Sequence, residues 1–464
     1  MVGMIPGGAA SDDRDTGPWD MSELRKPPSY SAVPVNETTE AVVWEVTDGR
    51  RAFGYLSRPS GSGPFPGLLC LSGFESDADP YWSEHYASRG YVALVTDNLG
   101  NGPDGQPLPE SVLPVTTTNT FHRIAQGERE CSVYQSVAAA ARAISLLSGL
   151  IEVDPDRIGV MGLSWGGVLA CTLAGIDDRV AGGVAIYGGA GVGIESSFTL
   201  HFNEMQPEDV RRWKGVFDPV HYLHQVRCPV LFVNSDGDSY FSMGTTRLSW
   251  AMARGPRALC IRPGLGHGAV YTWDWCQDAE VFLDAHLRGG AHYPCITQTA
   301  FGPSMVEAKI ENVVGLPSVA LYWATNETRA FQDGQGAYWQ SREWQGTVLN
   351  ITNSSVRVAL PSDAKAYYFV LQDGVRRAVA STPPLAPPWI PAPVLVGLPR
   401  APGSLGNRVA FAAVPGIEYQ IEGSSDLSVW LPLAMLAASS ESFVYEDLMS
   451  AGPRARYYRA TVVP

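Results

Sequence analysis

Ser164 sits at the centre of Gly162-Leu163-Ser164-Trp165-Gly166, directly after the apolar run 157–161 and ahead of the small residues Gly166, Gly167 and Ala170. That order reads as a buried strand entering a sharp turn, with a small-residue helix leaving it. A serine on such a turn is held clear of the sheet, and the N–H groups at the start of the helix point at the same spot. Glycine on either side tolerates the strained backbone and leaves room for the neighbouring strand and helix. The same pentapeptide could be a serine in an ordinary tight turn. The strand before it and the helix after it are what favour a nucleophile.

A serine hydroxyl is a poor nucleophile at neutral pH. It needs a histidine base, and the base needs a carboxylate to fix its tautomer and stabilise the imidazolium. On a strand–turn–helix elbow the chain order is Ser, acid, His. Of the eight histidines, six follow Ser164. His267 lies in Gly264-Leu265-Gly266-His267-Gly268, a glycine-rich loop behind the apolar run 258–261, where it can reach across the top of a sheet. His201, His221 and His224 lie in or just after a polar, helical insertion and precede any suitable acid. His286 and His292 flank a helix end and a loop. These five are expected at the surface or as caps.

The acid should close the strand before His267, which is 226–234. Two carboxylates follow, in Ser235-Asp236-Gly237-Asp238-Ser239. Asp236-Gly237 has turn chemistry, whereas Asp238 comes after the turn and can face back toward the imidazole. Asp238 is favoured, with Asp236 as the alternative. Two N–H donors must meet the developing oxyanion. One is expected from Trp165, the residue after the nucleophile, and the other from the loop after strand 66–72, at Phe74 or else Gly73. Gly73, Tyr240 and Phe241 are the expected substrate-binding residues.

Several elements must position these groups. Residues 1–40, rich in Gly, Pro, Ser and Asp, read as a poorly structured lead-in. Residues 42–57 read as a hairpin turning at Asp48-Gly49. Strands are then expected at 67–72, 91–96, 157–163, 180–187, 229–234 and 257–262. They alternate with helices near 80–89, 126–149, 241–253 and 275–287. In the second of these, Val133, Val137, Ala140, Ile144 and Leu147 mark one helical face. Such alternation means a parallel sheet with right-handed crossovers. An insertion at 189–218 falls where a cap over the site could grow. After 295, cysteine disappears and short β-like runs take over, at 319–323, 356–360 and 366–371. They suggest a β-sandwich-like domain at 296–382. A stiff, proline-rich linker at 383–394 leads to a C-terminal β module at 395–464, which carries 419–422, 426–430 and 457–459.

Residues from about 40 to 292 resemble bacterial α/β-hydrolases of the acetylxylan esterase and dienelactone hydrolase-like group. The likeness is carried by 63–67, 82–97, 154–167, 228–234 with Asp238, and 264–268 with His267. It implies the triad Ser164, Asp238 and His267 on an α/β fold, a doubly wound and mostly parallel sheet followed here by two small all-β domains. Many such hydrolases have His-Gly at the oxyanion loop, where this chain has Ser72-Gly73. Many have Asn before the acid, where this chain has Gly237. Dienelactone hydrolases proper use a cysteine nucleophile, so that activity is not implied.

The formal net charge of −14 over 464 residues argues against nucleic acid and against anionic membranes or polyanionic substrates. No run of 18 or more apolar residues appears, so no membrane-spanning helix is expected. The first 15 residues lack the regions of a signal peptide, so the expectation is a secreted or periplasmic protein without its leader, or a cytoplasmic one. Seven cysteines, several in strand-like contexts, read as small buried hydrophobes, and no spacing suggests zinc. No cofactor or metal is expected. The expected reaction is two-step hydrolysis of a short-chain carboxylic ester, small or borne on acetylated polysaccharide. The rivals are a thioesterase or peptidase on the same triad, and a glycan- or surface-binding protein with an inert hydrolase domain. The C-terminal β modules supply the candidate glycan contact.

Overall fold

The computed structural model describes residues 14–193, 196–267, 276–300, 304–325, 343–385, 395–398, 407–412, 418–424, 431–437, 442–447 and 457–462. In chain order the first half runs α1 (Met21–Leu24), β1 (Tyr30–Pro34), β2 (Thr39–Glu45), β3 (Arg51–Ser57), β4 (Phe65–Leu71), α2 (Pro80–Ser88), β5 (Val92–Thr96), α3 (Thr117–Thr120), α4 (Ser132–Ser148), β6 (Val153–Leu163), α5 (Trp165–Ile176) and β7 (Val180–Ile186). Then come α6 (Thr199–Asn203), α7 (Pro207–Phe217), α8 (Val220–Leu223), β8 (Val230–Gly237), α9 (Met243–Met252), β9 (Arg257–Gly266) and α10 (Cys276–Leu287).

These strands form one nine-stranded sheet in the order β1-β2-β3-β5-β4-β6-β7-β8-β9. β1 to β3 pair antiparallel, and β3 meets β5 antiparallel. From β5 through β9 all pairings are parallel. The crossover that puts β4 between β5 and β6, with helices between successive parallel strands, is the α/β-hydrolase arrangement. Strand residues in the middle of the sheet are buried on both faces, as parallel strands covered by helices must be. α4 lays Val133, Val137, Ala140, Ile144 and Leu147 into the core, all fully buried or nearly so. The β2–β3 hairpin turns at Asp48 (φ 54°) and Gly49 (φ 72°), the positive pair that an Asp-Gly turn accommodates.

The lead-in is not poorly structured over its described part. Asp20 caps α1 by accepting from the Ser22 and Glu23 N–H groups. Trp19, Met21 and Leu24 are buried, with the Trp19 ring lying parallel to Tyr134 of α4 and its Nε1 donating to the Tyr134 carbonyl at 2.9 Å. β1 then adds an exposed edge to the sheet. Three anchoring side chains outweigh the loop-like composition. Residues 1–13 lie outside the described residues.

Beyond α10 the chain forms antiparallel sheets. One is β10 (Cys295–Ala300), β11 (Met305–Glu311) and β14 (Ser355–Ala359), in that order. A second is β13 (Trp344–Leu349), β12 (Ser318–Ala324), β15 (Ala366–Gln372) and β16 (Val379–Ser381). Two further three-stranded sheets follow. They are β17 (Leu395–Leu398), β18 (Asn407–Ala412) and β21 (Ser442–Asp447), then β20 (Leu431–Ala437), β19 (Glu418–Ser424) and β22 (Tyr457–Val462). The linker expected from 383 begins later, because Leu385 is buried and exchanges both backbone hydrogen bonds with Tyr367 at 2.9 Å. The rest of that linker, 386–394, and the segment 426–430 lie outside the described residues.

Candidate active site

β6 ends at Leu163 and α5 begins at Trp165, so Ser164 occupies the corner with φ 55° and ψ −115°. A non-glycine residue rarely holds such a φ, and here its neighbours fix it. The Ser164 N–H donates to the Ile186 carbonyl of β7 at 2.7 Å, and its carbonyl accepts from Gly167 N–H at 2.9 Å. The flanking glycines are required by contact. A Cβ on Gly162 would lie 1.9 Å from the Gly166 carbonyl oxygen, and one on Gly166 would lie 2.1 Å from that of Leu71.

His267 follows β9. Its Nε2 is 2.9 Å from Ser164 Oγ, and its Nδ1 is 3.0 Å from both carboxylate oxygens of Asp238. An ionised carboxylate can only accept, so it selects the tautomer with hydrogen on Nδ1 and leaves the Nε2 lone pair facing the hydroxyl. The Asp238 side chain is fully buried. Its Oδ1 also accepts from the N–H groups of Tyr240 at 2.7 Å and Phe241 at 3.0 Å. Asp236, the alternative acid, faces elsewhere. Its Oδ1 accepts from Gly264 N–H at 2.6 Å and its Oδ2 from the Tyr368 hydroxyl at 3.0 Å, and burial pushes its carboxyl up.

The loop after β4 runs beside the serine. A Cβ on Gly73 would lie 3.8 Å from Ser164 Cβ. Among the described residues no acceptor takes the N–H of Phe74 or that of Trp165, the first residue of α5. Asn98 holds this loop, donating from Nδ2 to the carbonyls of Ser72 at 2.7 Å and Gly73 at 2.9 Å. Ser72, standing where many such hydrolases have His, donates to the Thr96 carbonyl at 2.6 Å. Reading the sequence alone missed Asn98, and its place just after β5 was the only signal.

Aromatic rings wall the site. Tyr240 packs against the imidazole with centroids 4.5 Å apart and is 46% exposed. Phe241 is buried, 6.3 Å from the imidazole. Phe74 meets Trp165 edge-on at 5.5 Å and Phe198 at 5.2 Å. Phe198 was not foreseen. It comes from the 189–218 insertion, which is tied to the acid loop by Ser197 N–H donating to the Tyr240 carbonyl at 2.9 Å. His201 packs against Phe198, with ring centroids 6.1 Å apart. His221 is buried rather than at the surface, its Nε2 2.8 Å from the Lys214 carbonyl. Among the described residues no three His, Cys, Asp or Glu side chains are grouped to hold a metal. None of the described helices is long and apolar enough to cross a membrane.

Residues 29–188, which contain Ser164, match the acetyl xylan esterase (AXE1) family. Residues 184–332, which contain Asp238 and His267, match the PhoPQ-activated pathogenicity-related protein family. The chain is 28% identical over 280 residues to the acetyl esterase Axe7A of Xylanibacter ruminicola, covering 55% of this chain and 63% of that protein. It is 26% identical over 176 residues to the Bacillus subtilis hydrolase YtaP, covering 34% of this chain and 56% of that protein. The chain therefore spans about three fifths of the curated relatives it matches. Among solved structures, an acetyl xylan esterase from Paenibacillus sp. R4 aligns at 22% identity and a TM-score of 0.49, over 57% of this chain and 92% of that one. Acetyl Xylan Esterase 1 from Thermoanaerobacterium sp. JW/SL YS485 aligns at 18% identity and 0.46, over 55% and 90%. By the family match of residues 29–188 and the similarity to Axe7A, the hydrolase part of the chain is similar to the acetyl xylan esterase group.

Proposed function

We propose that this chain is a serine carboxylic ester hydrolase that cleaves acetyl and other short acyl esters, with Ser164 as nucleophile, His267 as base and Asp238 as the acid. The observation that carries this reading is the 2.9 Å contact between His267 Nε2 and Ser164 Oγ, backed on the other ring nitrogen by a buried carboxylate. The similarity to an acetyl esterase and to the acetyl xylan esterase family supports the acetyl group.

His267 takes the Ser164 proton as the oxygen attacks the ester carbonyl. The N–H groups of Trp165 and Phe74 meet the oxyanion. Collapse expels the alcohol, which takes the proton from His267. Water, losing a proton to the same nitrogen, attacks the acyl-enzyme, and the carboxylic acid leaves as Ser164 regains its proton. Asp238 stays ionised and stabilises the imidazolium. Tyr240, Phe241 and Gly73 line the approach to Ser164 and favour a small acyl group. Acetylated polysaccharide is the proposed natural substrate. A secreted or periplasmic site of action belongs to the same proposal.

Hydrolysis rates for aryl esters of increasing chain length, followed by acetate release from acetylated xylan, test it. Ser164→Ala is expected to lower turnover on the order of a million-fold. A rate maximum at the acetyl ester supports the acyl assignment, and preference for an amide or a thioester contradicts it.

A further inference from the structure

We infer that Tyr368, a residue of the first β unit, is a positioning residue for His267, acting through Asp236 and Gly264. The inference rests on the proposed role of His267. β9 leads directly into the histidine and is the last strand of the nine-stranded sheet, where among the described residues it pairs with β8 alone. The chain bends at Gly264, whose φ of +77° favours glycine. Asp236, at the end of β8, holds that bend by accepting the Gly264 N–H at 2.6 Å. Ser235 donates to the Leu265 carbonyl beside it. Residues two and three positions before the imidazole are therefore tied to the strand end that leads to Asp238.

Asp236 has its second oxygen bonded to Tyr368 at 3.0 Å. Tyr368 is fully buried on β15, with its ring stacked on Tyr322 at 5.4 Å and edge-on to Trp344 at 4.9 Å. Its hydroxyl is thus delivered by a rigid sheet. The same unit secures β9 further back, where Ser381 Oγ accepts the Ile261 N–H at 2.9 Å and donates to the Ile261 carbonyl at 3.2 Å. A buried carboxylate that loses one of two donors is left with an unsatisfied oxygen. It then rotates toward another donor, and the Gly264 N–H loses its anchor. A shift of the imidazole by about 1 Å is enough to cost on the order of a hundred-fold in rate.

The test uses the full chain and two readouts: kcat and KM on an aryl acetate, and the rate of phosphonylation of Ser164 by a fluorophosphonate. Tyr368→Phe is expected to lower both kcat and the phosphonylation rate by about ten- to a hundred-fold, with KM held within about two-fold. Asp236→Ala should do the same. The double variant should fall no further than Asp236→Ala alone, since the two act on one link. Asp236→Asn should recover most of the loss seen in Asp236→Ala, because its Oδ1 still accepts from Gly264 and its Nδ2 can donate to the tyrosine oxygen. That Ala/Asn pair carries the comparison if Tyr368→Phe does not fold. Tyr368→Phe at wild-type kcat overturns the inference, whatever its Tm. So do additive losses in the double variant, a rise in KM alone, or an Asn variant as slow as the Ala variant. Wild-type protein that resists phosphonylation sinks the serine-hydrolase reading instead, and this inference with it.

Discussion

Ser164 can stand in its strained corner because Gly162 and Gly166 carry no side chain there. Asp238 matters for a different reason. It is buried, holds Nδ1 of His267, and has its own position set by two backbone donors from the next turn. Asp238→Asn keeps the shape but favours the tautomer with hydrogen on Nε2, facing Ser164. Turnover of an aryl acetate is expected to fall on the order of ten-thousand-fold, with the Tm nearly unchanged. A fall below about ten-fold would contradict its assignment as the acid. Ser164 and His267 were legible because an elbow has a spacing and the chain order limits the candidates. The choice between Asp236 and Asp238 was only weighted by turn chemistry, since a two-residue offset at a strand end does not say which carboxylate faces the imidazole. Asn98 and Phe198 were not legible, because each acts on a loop distant in sequence.

At the scale of elements, apolar runs located β4 to β9 within a few residues, because parallel strands buried on both faces leave continuous apolar signatures, whereas the exposed edge strand β1 carries none and fell within the lead-in. The helix α1 was missed, because four residues among prolines and glycines carry no period, and its stability comes from Trp19, Met21 and Leu24 packing on the body of the protein. Histidines of α6, α8 and α10 make stability sensitive to acid. Burial, with Arg254 and Arg408 nearby, pushes His224 down from 6.5 to about 4. The unfolded chain binds that proton at about pH 6.5, and the folded chain only at about pH 4. The stabilisation is complete above the higher value and is lost as pH falls through the lower. His224→Gln is expected to lose less Tm than the wild type between pH 7 and pH 4, as measured by calorimetry. Because burial also pushes His201, His221 and His286 down, the slope is reduced rather than abolished. An unchanged slope would contradict the account.

Across the whole molecule, the first β unit and the hydrolase sheet share one apolar core, in which Ile296, Val319 and Tyr367 join the buried set that includes Ile261, Phe282 and Leu283. Polar links cross the same boundary. The buried Asp278 of α10 accepts from Arg262 Nε at 2.6 Å and from Val379 N–H at 2.6 Å. The change in composition after 295 was visible in the sequence. Whether the two parts share a core was not, because composition does not say which faces meet. The last sheets have a small core of their own around Phe411, Tyr419 and Ile421. Ending the chain after 295 is therefore expected to give insoluble protein or a Tm lowered by about ten degrees or more, since each kcal/mol lost shifts the Tm by several degrees. Ending it after 394 is expected to leave kcat on an aryl acetate within about three-fold, since the proposed triad lies in the hydrolase sheet. A soluble, fully active protein ending at 295 would contradict the shared core.

The most direct measurement of the central claim is peptide mapping by mass spectrometry after treatment with a fluorophosphonate. The account predicts one stoichiometric adduct on Ser164, blocked by prior acetyl ester hydrolysis only while acyl-enzyme persists, and formed at a small fraction of the wild-type rate in His267→Ala. An adduct on another serine, or ester hydrolysis that continues once Ser164 is fully modified, would contradict it.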